Sequence, residues 1–326
     1  MLFDNHQRIH NYLRISLTDA CNLRCVYCMP DGLLQATEQK HLLQTNEIES
    51  FAKVFSKLGV TKIRLTGGEP LIRKEFDEII QTLAPLPIQI ALTTNGIQLH
   101  KHWKVLLDNN CMSVNISLDT LNESKFVSLT KRDLFKQVYQ NILLLLENGF
   151  SVKVNVVVMN HINHTELIDF VSLTKDLPLH IRFIEFMPFS KNAWQVDKVF
   201  PYEQMLSDIS NAFDVIKLED DKHATTKKFK VIQHVGTFAF ITTMTSPFCS
   251  TCNRLRLTAD GKMKNCLFSS NETDLLTPFR NGQDIIPLIV QNIKDKKEAL
   301  GGQLVADYTK IEEDKLYNRS MIQIGG

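Results

Sequence analysis

From residue 12 to residue 186, short apolar runs rich in β-branched residues alternate with longer stretches whose apolar positions recur at helical spacing. The runs Tyr12–Leu17, Val60–Thr66, Ile88–Thr94, Ser113–Leu118, Val152–Met159 and Leu179–Phe186 read as strands. Between them, Thr45–Leu58 carries Ile48, Phe51, Phe55 and Leu58 on one helical face behind a Thr45 cap. Leu134–Asn148 is a second helix, closed by Gly149 at its C′ position, and Pro201–Phe213 a further one.

Six strands alternating with helices imply a parallel sheet with right-handed crossovers. No G-x-G-x-x-G follows the first strand, which argues against a dinucleotide-binding sheet. The pattern therefore predicts an α/β fold, a full or partial (β/α) barrel of the TIM type, with chemistry at the C-terminal ends of its strands. The polar segment Leu218–Lys230 marks a boundary, giving a barrel over 8–217 and a C-terminal region over 218–326.

Composition narrows the function classes. At 326 residues with 44% hydrophobic and 22% charged positions, the chain is an ordinary globular one. Its net charge of +1 gives no case for nucleic acid or an anionic membrane as partner, so any anion site must come from local clustering. The N-terminus has an early acid and no apolar core of a secretory signal, and no run approaches about 18 apolar residues. A cytoplasmic location with reduced, metal-binding cysteines is expected.

The cysteines carry the strongest chemical signal. Cys21, Cys25 and Cys28 stand as Cys-x-x-x-Cys-x-x-Cys in the loop after the first strand, with no local fourth ligand. Three clustered thiolates suit an iron–sulfur cluster with one iron open to another ligand. Cys249, Cys252 and Cys266 repeat the arrangement near the other end, with no Cys or His downstream; half of a zinc ribbon completed by His234 is the plainer alternative. Cys111 belongs to neither triad and reads as a buried core thiol.

Around these triads lie candidate ligand groups. Thr66-Gly-Gly-Glu-Pro70 follows the second strand; its glycines allow close backbone approach, and Glu69 could accept from an ammonium group. Ser117 and Asp119 end the fourth strand, where a helix cap is the plain reading of the residues. Arg14, Lys62, Arg64, Lys153 and Arg182 place cations in otherwise apolar strands, and Arg254 and Arg256 sit two apart beside the second triad. Parallel strands are buried on both faces, so such cations need anionic partners. Seven of them point to a polyanion, with arginine forks suited to phosphate.

The first triad with its Tyr27 resembles the cluster motif of radical S-adenosylmethionine enzymes. Together with TGGEP, Cys-x-x-Cys-x-Arg-x-Arg and a terminal Gly325-Gly326, the chain is similar almost end to end to the GTP 3′,8-cyclase family of molybdenum-cofactor biosynthesis. The resemblance implies two [4Fe–4S] clusters, one on Cys21, Cys25 and Cys28 and an auxiliary one on Cys249, Cys252 and Cys266. Tyr27, Gly68, Ser117 and Met187 would line the S-adenosylmethionine site. Arg14, Lys62, Arg64, Thr93, Lys153, Arg182, Arg254, Leu255 and Arg256 would contact GTP. Arg14, Arg254, Arg256, Gly325 and Gly326 would serve catalysis, the glycine tail reaching into the active site.

The implied reaction is abstraction of hydrogen from C3′ of GTP by a 5′-deoxyadenosyl radical, followed by bonding of C3′ to guanine C8. The implied partners are a reductase or flavodoxin-type electron donor, a downstream cyclic pyranopterin monophosphate synthase and a second copy in a homodimer. Ala20, before the first cysteine, and Lys264-Asn265, before Cys266, depart from the pattern. Two rival readings stay open: a radical enzyme that modifies a peptide, and a non-catalytic iron–sulfur or zinc redox module.

Overall fold

The computed structural model describes residues 1–29, 36–190, 192–312 and 316–325. Six parallel strands, β1 (Tyr12–Ser16), β2 (Lys62–Thr66), β3 (Gln89–Thr94), β4 (Ser113–Ser117), β5 (Ser151–Val158) and β6 (His180–Glu185), pair consecutively. Each expected strand appears, with ends shifted by no more than about two residues. Helices including Thr45–Lys57, Phe76–Leu83, Leu99–Asp108 and Phe135–Glu147 form the crossovers.

The remaining strands are β7 (Val215–Lys217), β8 (Lys227–Val231), β9 (Thr237–Ile241), β10 (Arg254–Leu257), β11 (Lys262–Lys264) and β12 (Thr273–Asp274). β9 adds in parallel to β6 and continues antiparallel through β8 to β7. At the other edge β10 adds in parallel to β1 and continues antiparallel through β11 to β12. All twelve form one sheet whose two edge strands, β12 and β7, stay apart, so the barrel is partial.

One local expectation changes, and the polar stretch takes its place in the sheet. Leu218–Lys230 connects β7 to β8 and supplies most of β8, so this polar stretch lies within one continuous sheet. Its charges sit on an edge hairpin, where solvent reaches one side. The helix at 45 is capped by Gln44 and not Thr45: the Gln44 and Glu47 side chains bond reciprocally to the backbone of this first turn. Glu47 is free to do so because Arg280 holds its carboxylate at 2.7 and 2.9 Å.

The core lies between the sheet and its helices. In β5 the even-numbered valines 152, 154, 156 and 158 are buried there, while Lys153, Asn155 and Val157 face the concave side. Cys111 is fully buried in this core, and desolvation pushes its thiol up to about 12.

Candidate active site

Strand register stacks the concave-face side chains in rows. Tyr12 stands beside Lys62 on one neighbour and Arg254 on the other; Arg14 stands between Arg64 and Arg256; Ser16 stands beside Thr66. Across the sheet, Asn115 is level with Lys153, and Asn155 with Arg182. These rows surround a cavity of about 430 Å³. Arg14, Lys62, Arg64, Lys153, Arg182, Arg254 and Arg256 all line it, and Cys249, Cys252 and Cys266 form part of its wall. Leu255 has the opposite parity and packs fully buried in the core, so only its backbone belongs to this strand's contribution.

A second cavity of about 200 Å³ opens at the C-terminal ends of the strands. Cys21, Cys25 and Cys28 line it with Tyr27, Gly68, Ser117, Asp119 and Met187. Thr93 lines this cavity and not the cation-lined one, though its hydroxyl lies 3.4 Å from Arg64 Nη1. Asn155, Ile184, Met187 and Met321 border both cavities, so the two sites are separated by a single layer of side chains.

The loop after β2 is pressed onto the loop after β1. Gly68 N–H donates to Thr18 O at 2.7 Å and Glu69 N–H to Ala20 O at 2.8 Å. A Cβ on Gly68 would stand 2.2 Å from the Ala20 oxygen, so no larger residue fits. Glu69 does not reach the cavity as an acceptor for a ligand. It is buried and accepts from Thr94 Oγ1 at 2.6 Å, Asn95 N at 2.6 Å and Leu71 N at 3.0 Å, which braces the loops after β2 and β3. Burial raises its carboxyl to about 7 against these three donors. Asp119 accepts from Tyr27 Oη and from Val157 N, fixing the tyrosine at the cavity wall.

Burial sets the electrostatics of both cavities. Desolvation, with the neighbouring Asp119 and thiols, holds Cys25 well above the ordinary thiol range; burial pushes Cys21 to about 11 and Cys28 to about 12. These thiols stay protonated until a metal displaces the protons. Cys252 goes the other way: burial is outweighed by Lys296 and Arg254, which draw it to about 6.

Among the described residues no carboxylate pairs with Lys62, Arg64, Lys153, Arg182 or Arg254. Desolvation and mutual repulsion lower Lys153 to about 8 and Arg182 to about 10. Arg64 Nε instead donates to the Tyr12 phenol at 2.7 Å. The Tyr12 phenol, although buried, is brought down to about 7 by Arg64, Arg14 and Lys62. A pocket of uncompensated cations is destabilising unless a polyanion completes it. Tyr12, Asn115, Asn155 and Phe248 were missed as lining residues in the sequence; Tyr12 shares strand parity with Arg14, which is the signal that could have found it.

The C-terminus enters from the side. Arg319 pairs with Asp260 at 2.8 Å and Glu272 at 2.7 Å, and the short helix Met321–Ile324 follows. Ser16 Oγ donates to the Ile324 carbonyl at 3.2 Å, and Arg256 Nη1 donates to the Gly325 carbonyl. Gly326 lies outside the described residues. His234 bonds Thr174 at 2.8 Å and is not among the residues lining either cavity, so it does not complete a zinc site with the second triad. Lys264 is fully buried and donates to the Ser269 carbonyl at 2.6 Å; Asn265 donates to the Asn292 carbonyl at 2.6 Å and also lines the cation-lined cavity.

Comparison with known proteins agrees with this architecture. A profile described as the Radical SAM superfamily matches residues 15–174, and one described as Molybdenum Cofactor Synthesis C matches residues 179–301. SuiB of Streptococcus suis bound to S-adenosylmethionine superposes with a TM-score of 0.65 over 89% of this chain and 68% of that one, at 14% identity, a likeness of fold alone. Fold and profile together define a radical S-adenosylmethionine enzyme. The chain is 45% identical to the mitochondrial GTP 3′,8-cyclase of Arabidopsis thaliana, over 100% of this chain and 84% of that protein. It is 37% identical to the GTP 3′,8-cyclase of Pelotomaculum thermopropionicum over 99% of each. It is also 44% identical to molybdenum cofactor biosynthesis protein 1 of Mus musculus, of which it spans 51%. The chain belongs to the GTP 3′,8-cyclase family of molybdenum-cofactor biosynthesis.

The smaller, thiol-lined cavity fits the [4Fe–4S] cluster and S-adenosylmethionine of that superfamily. Among the described residues it offers three thiols, no fourth cysteine or histidine in its lining, and the bare backbone of Gly68 in its wall. Among the described residues no three His, Cys, Asp or Glu side chains converge on a single-ion position. No helix among the described residues is long and apolar enough to cross a membrane.

Proposed function

We propose that the two cavities hold the two halves of the reaction: S-adenosylmethionine and its cluster at Cys21, Cys25 and Cys28, and GTP beside a second [4Fe–4S] cluster at Cys249, Cys252 and Cys266. The observation that carries this reading is the shared wall of Asn155, Ile184, Met187 and Met321, with a cation-lined cavity on one side and a thiol-lined one on the other. Held there, the first cluster and S-adenosylmethionine would supply the radical chemistry that removes hydrogen from C3′ of GTP; bonding of C3′ to C8, with uptake of one electron from the reductant and one proton, would return the product to the mass of GTP.

The chain's own residues bind and orient. Lys62, Arg64, Lys153 and Arg182 surround the triphosphate, each charge-assisted hydrogen bond contributing about 1.5–3 kcal/mol. Cys249, Cys252 and Cys266, with Arg254 stacked 4.9 Å over Phe248, form the guanine end. Arg14 and Arg256, in the row between the two ends, position the reacting sugar with the Gly325-Gly326 tail. Tyr27, Gly68, Ser117 and Met187 hold S-adenosylmethionine. Because a misplaced radical would attack protein or solvent, this orientation is the protein's main contribution. A flavodoxin-type reductant, a homodimeric state and hand-over to the enzyme that makes the cyclic pyranopterin complete the proposal. Seven free thiols are consistent with a reducing, cytoplasmic setting.

A peptide substrate is the alternative, since SuiB has also been seen bound to its precursor peptide SuiA. The closely spaced cations favour a compact polyanion. The test is anaerobic reconstitution, then incubation with S-adenosylmethionine, dithionite and GTP, followed by mass spectrometry. The reading expects GTP-dependent 5′-deoxyadenosine and a cyclised product of unchanged GTP mass. 5′-Deoxyadenosine formed equally with and without GTP would turn attention to peptides.

A further inference from the structure

A lysine with no assigned role contacts the second triad. Lys296 follows the helix Ile286–Lys294, whose Asn292 side chain donates to Thr273 Oγ1 at 2.8 Å and whose Asn292 carbonyl accepts from Asn265. The chain turns back there, with the Lys296 N–H on the Ile293 carbonyl, and the lysine is buried with 4% of its surface exposed. Its Nζ donates to the Arg254 carbonyl at 3.1 Å and lies 3.6 Å from Cys252 Sγ.

A buried ammonium is stabilised only beside negative charge. Among the described residues no carboxylate pairs with Lys296; the acidic groups acting on it are Cys252 and Cys266, while Arg8 and Arg254 repel it. Cys252 Sγ, 3.6 Å from Nζ, is the acidic atom that its hydrogen bond reaches. A second donor supports the same triad: Leu300 N–H lies 3.4 Å from Cys249 Sγ. Hydrogen bonds and positive charge at cluster sulfurs stabilise the more negative, reduced state.

Resting on the reading of Cys249, Cys252 and Cys266 as a second cluster site, we propose that Lys296 is a positioning residue that holds Cys252 and raises the reduction potential of the cluster bound there. Through the Arg254 carbonyl it also fixes the start of β10, and with it the direction in which Arg254 and Arg256 face the cavity.

The test is a potentiometric titration of full-length, anaerobically reconstituted protein, followed by electron paramagnetic resonance, with iron and sulfide measured in each sample. In Lys296→Met one of the two midpoint potentials falls by about 59 mV or more, the one-electron equivalent of a tenfold shift in the reduced-to-oxidised ratio. Lys296→Arg, which keeps the charge, restores most of it. Two intact clusters with unchanged potentials in Lys296→Met overturn the proposal. Should Lys296→Met load only one cluster's worth of iron, Lys296→Gln, a neutral donor, decides: a lowered potential supports the role of charge, and wild-type potentials or failure of Lys296→Arg to restore iron overturn it. Wild-type protein that itself binds a single cluster refutes the second-cluster reading instead.

Discussion

Arg256, buried at the centre of the cation-lined cavity, donates a hydrogen bond to the main-chain carbonyl of Gly325, one residue from the end of the chain. Gly325 sits at φ +85°, and a Cβ there would stand 2.0 Å from Ser16 Oγ and 2.7 Å from Thr66 Oγ1. Gly325 is thus threaded between β1, β2 and β10 through a gap that admits only glycine. Gly325→Ala is expected to expel the tail and lower product formation by about 10²-fold, as for a catalytic group misplaced by an ångström. Iron content should stay at the wild-type level. Full activity in Gly325→Ala would show that the tail's docking is incidental.

Arg182 tests whether the cavity is built for an anion at the expense of the ligand-free fold. Its Nε is buried without a hydrogen-bond partner among the described residues. Removing an uncompensated buried charge is neutral or stabilising, whereas removing a phosphate ligand is costly. Arg182→Met should therefore weaken GTP binding by about 10–100-fold, the equivalent of about 1.5–3 kcal/mol, in calorimetric titration. Its ligand-free melting temperature should equal or exceed that of wild type. A lower melting temperature with unchanged GTP affinity would mean that Arg182 is structural.

The same crowding predicts an unusual pH dependence. The Lys153 ammonium is lowered from 10.5 to about 8 in the fold, so below pH 8 its charge opposes folding, and that penalty is relieved as pH rises from 8 to 10.5. The Tyr12 phenol is lowered from 10.0 to about 7, so its contribution is full above pH 10 and is lost as pH falls through 7. Both groups make the ligand-free protein more stable with rising pH between about 7 and 10.5. Bound triphosphate favours the protonated forms of both, so GTP affinity should fall over the same window. Denaturant midpoints across this range, compared with Tyr12→Phe and Lys153→Met, check the sign. A wild-type slope retained in the double variant would assign it elsewhere.

Glu69 distinguishes a brace from a ligand group. Its carboxylate satisfies Thr94, Asn95 and Leu71, and leaving those buried donors unpaired costs about 1–3 kcal/mol each. Glu69→Ala should lower the urea midpoint by several kcal/mol equivalent and impair loading of the first cluster through the disordered loop. Unchanged stability with weakened S-adenosylmethionine binding would restore its reading as an ammonium ligand.

Much of this was legible along the chain because strand chemistry is local. Apolar alternation and helical spacing set the six strands, and the two-residue spacing of Arg254 and Arg256 puts them on one side of an extended segment; the burial of Leu255 on the other side came from the structure. The first cysteine triad was equally local, since its three thiols share one short loop, whereas Cys266 returns to Cys249 and Cys252 only through the antiparallel pairing of β10 and β11. Glu69 misled because its sequence neighbours are glycines, whereas its bonding partners Thr94 and Asn95 lie on the next loop.

The sequence by itself determined the six central strands, the two groups of three cysteines and the cations set in apolar surroundings. Only the tertiary structure decided that β10 pairs with β1, which places Arg254 beside Tyr12 and Arg256 beside Arg14 and so brings the second triad onto the cation cavity. That pairing joins residues more than two hundred positions apart, and nothing in a local window encodes such a register. The same holds for Lys296, one of several lysines in a polar run until the fold buries it against Cys252. Periodicity depends on the backbone of each segment; pairing and desolvation depend on the whole chain closing around one cavity.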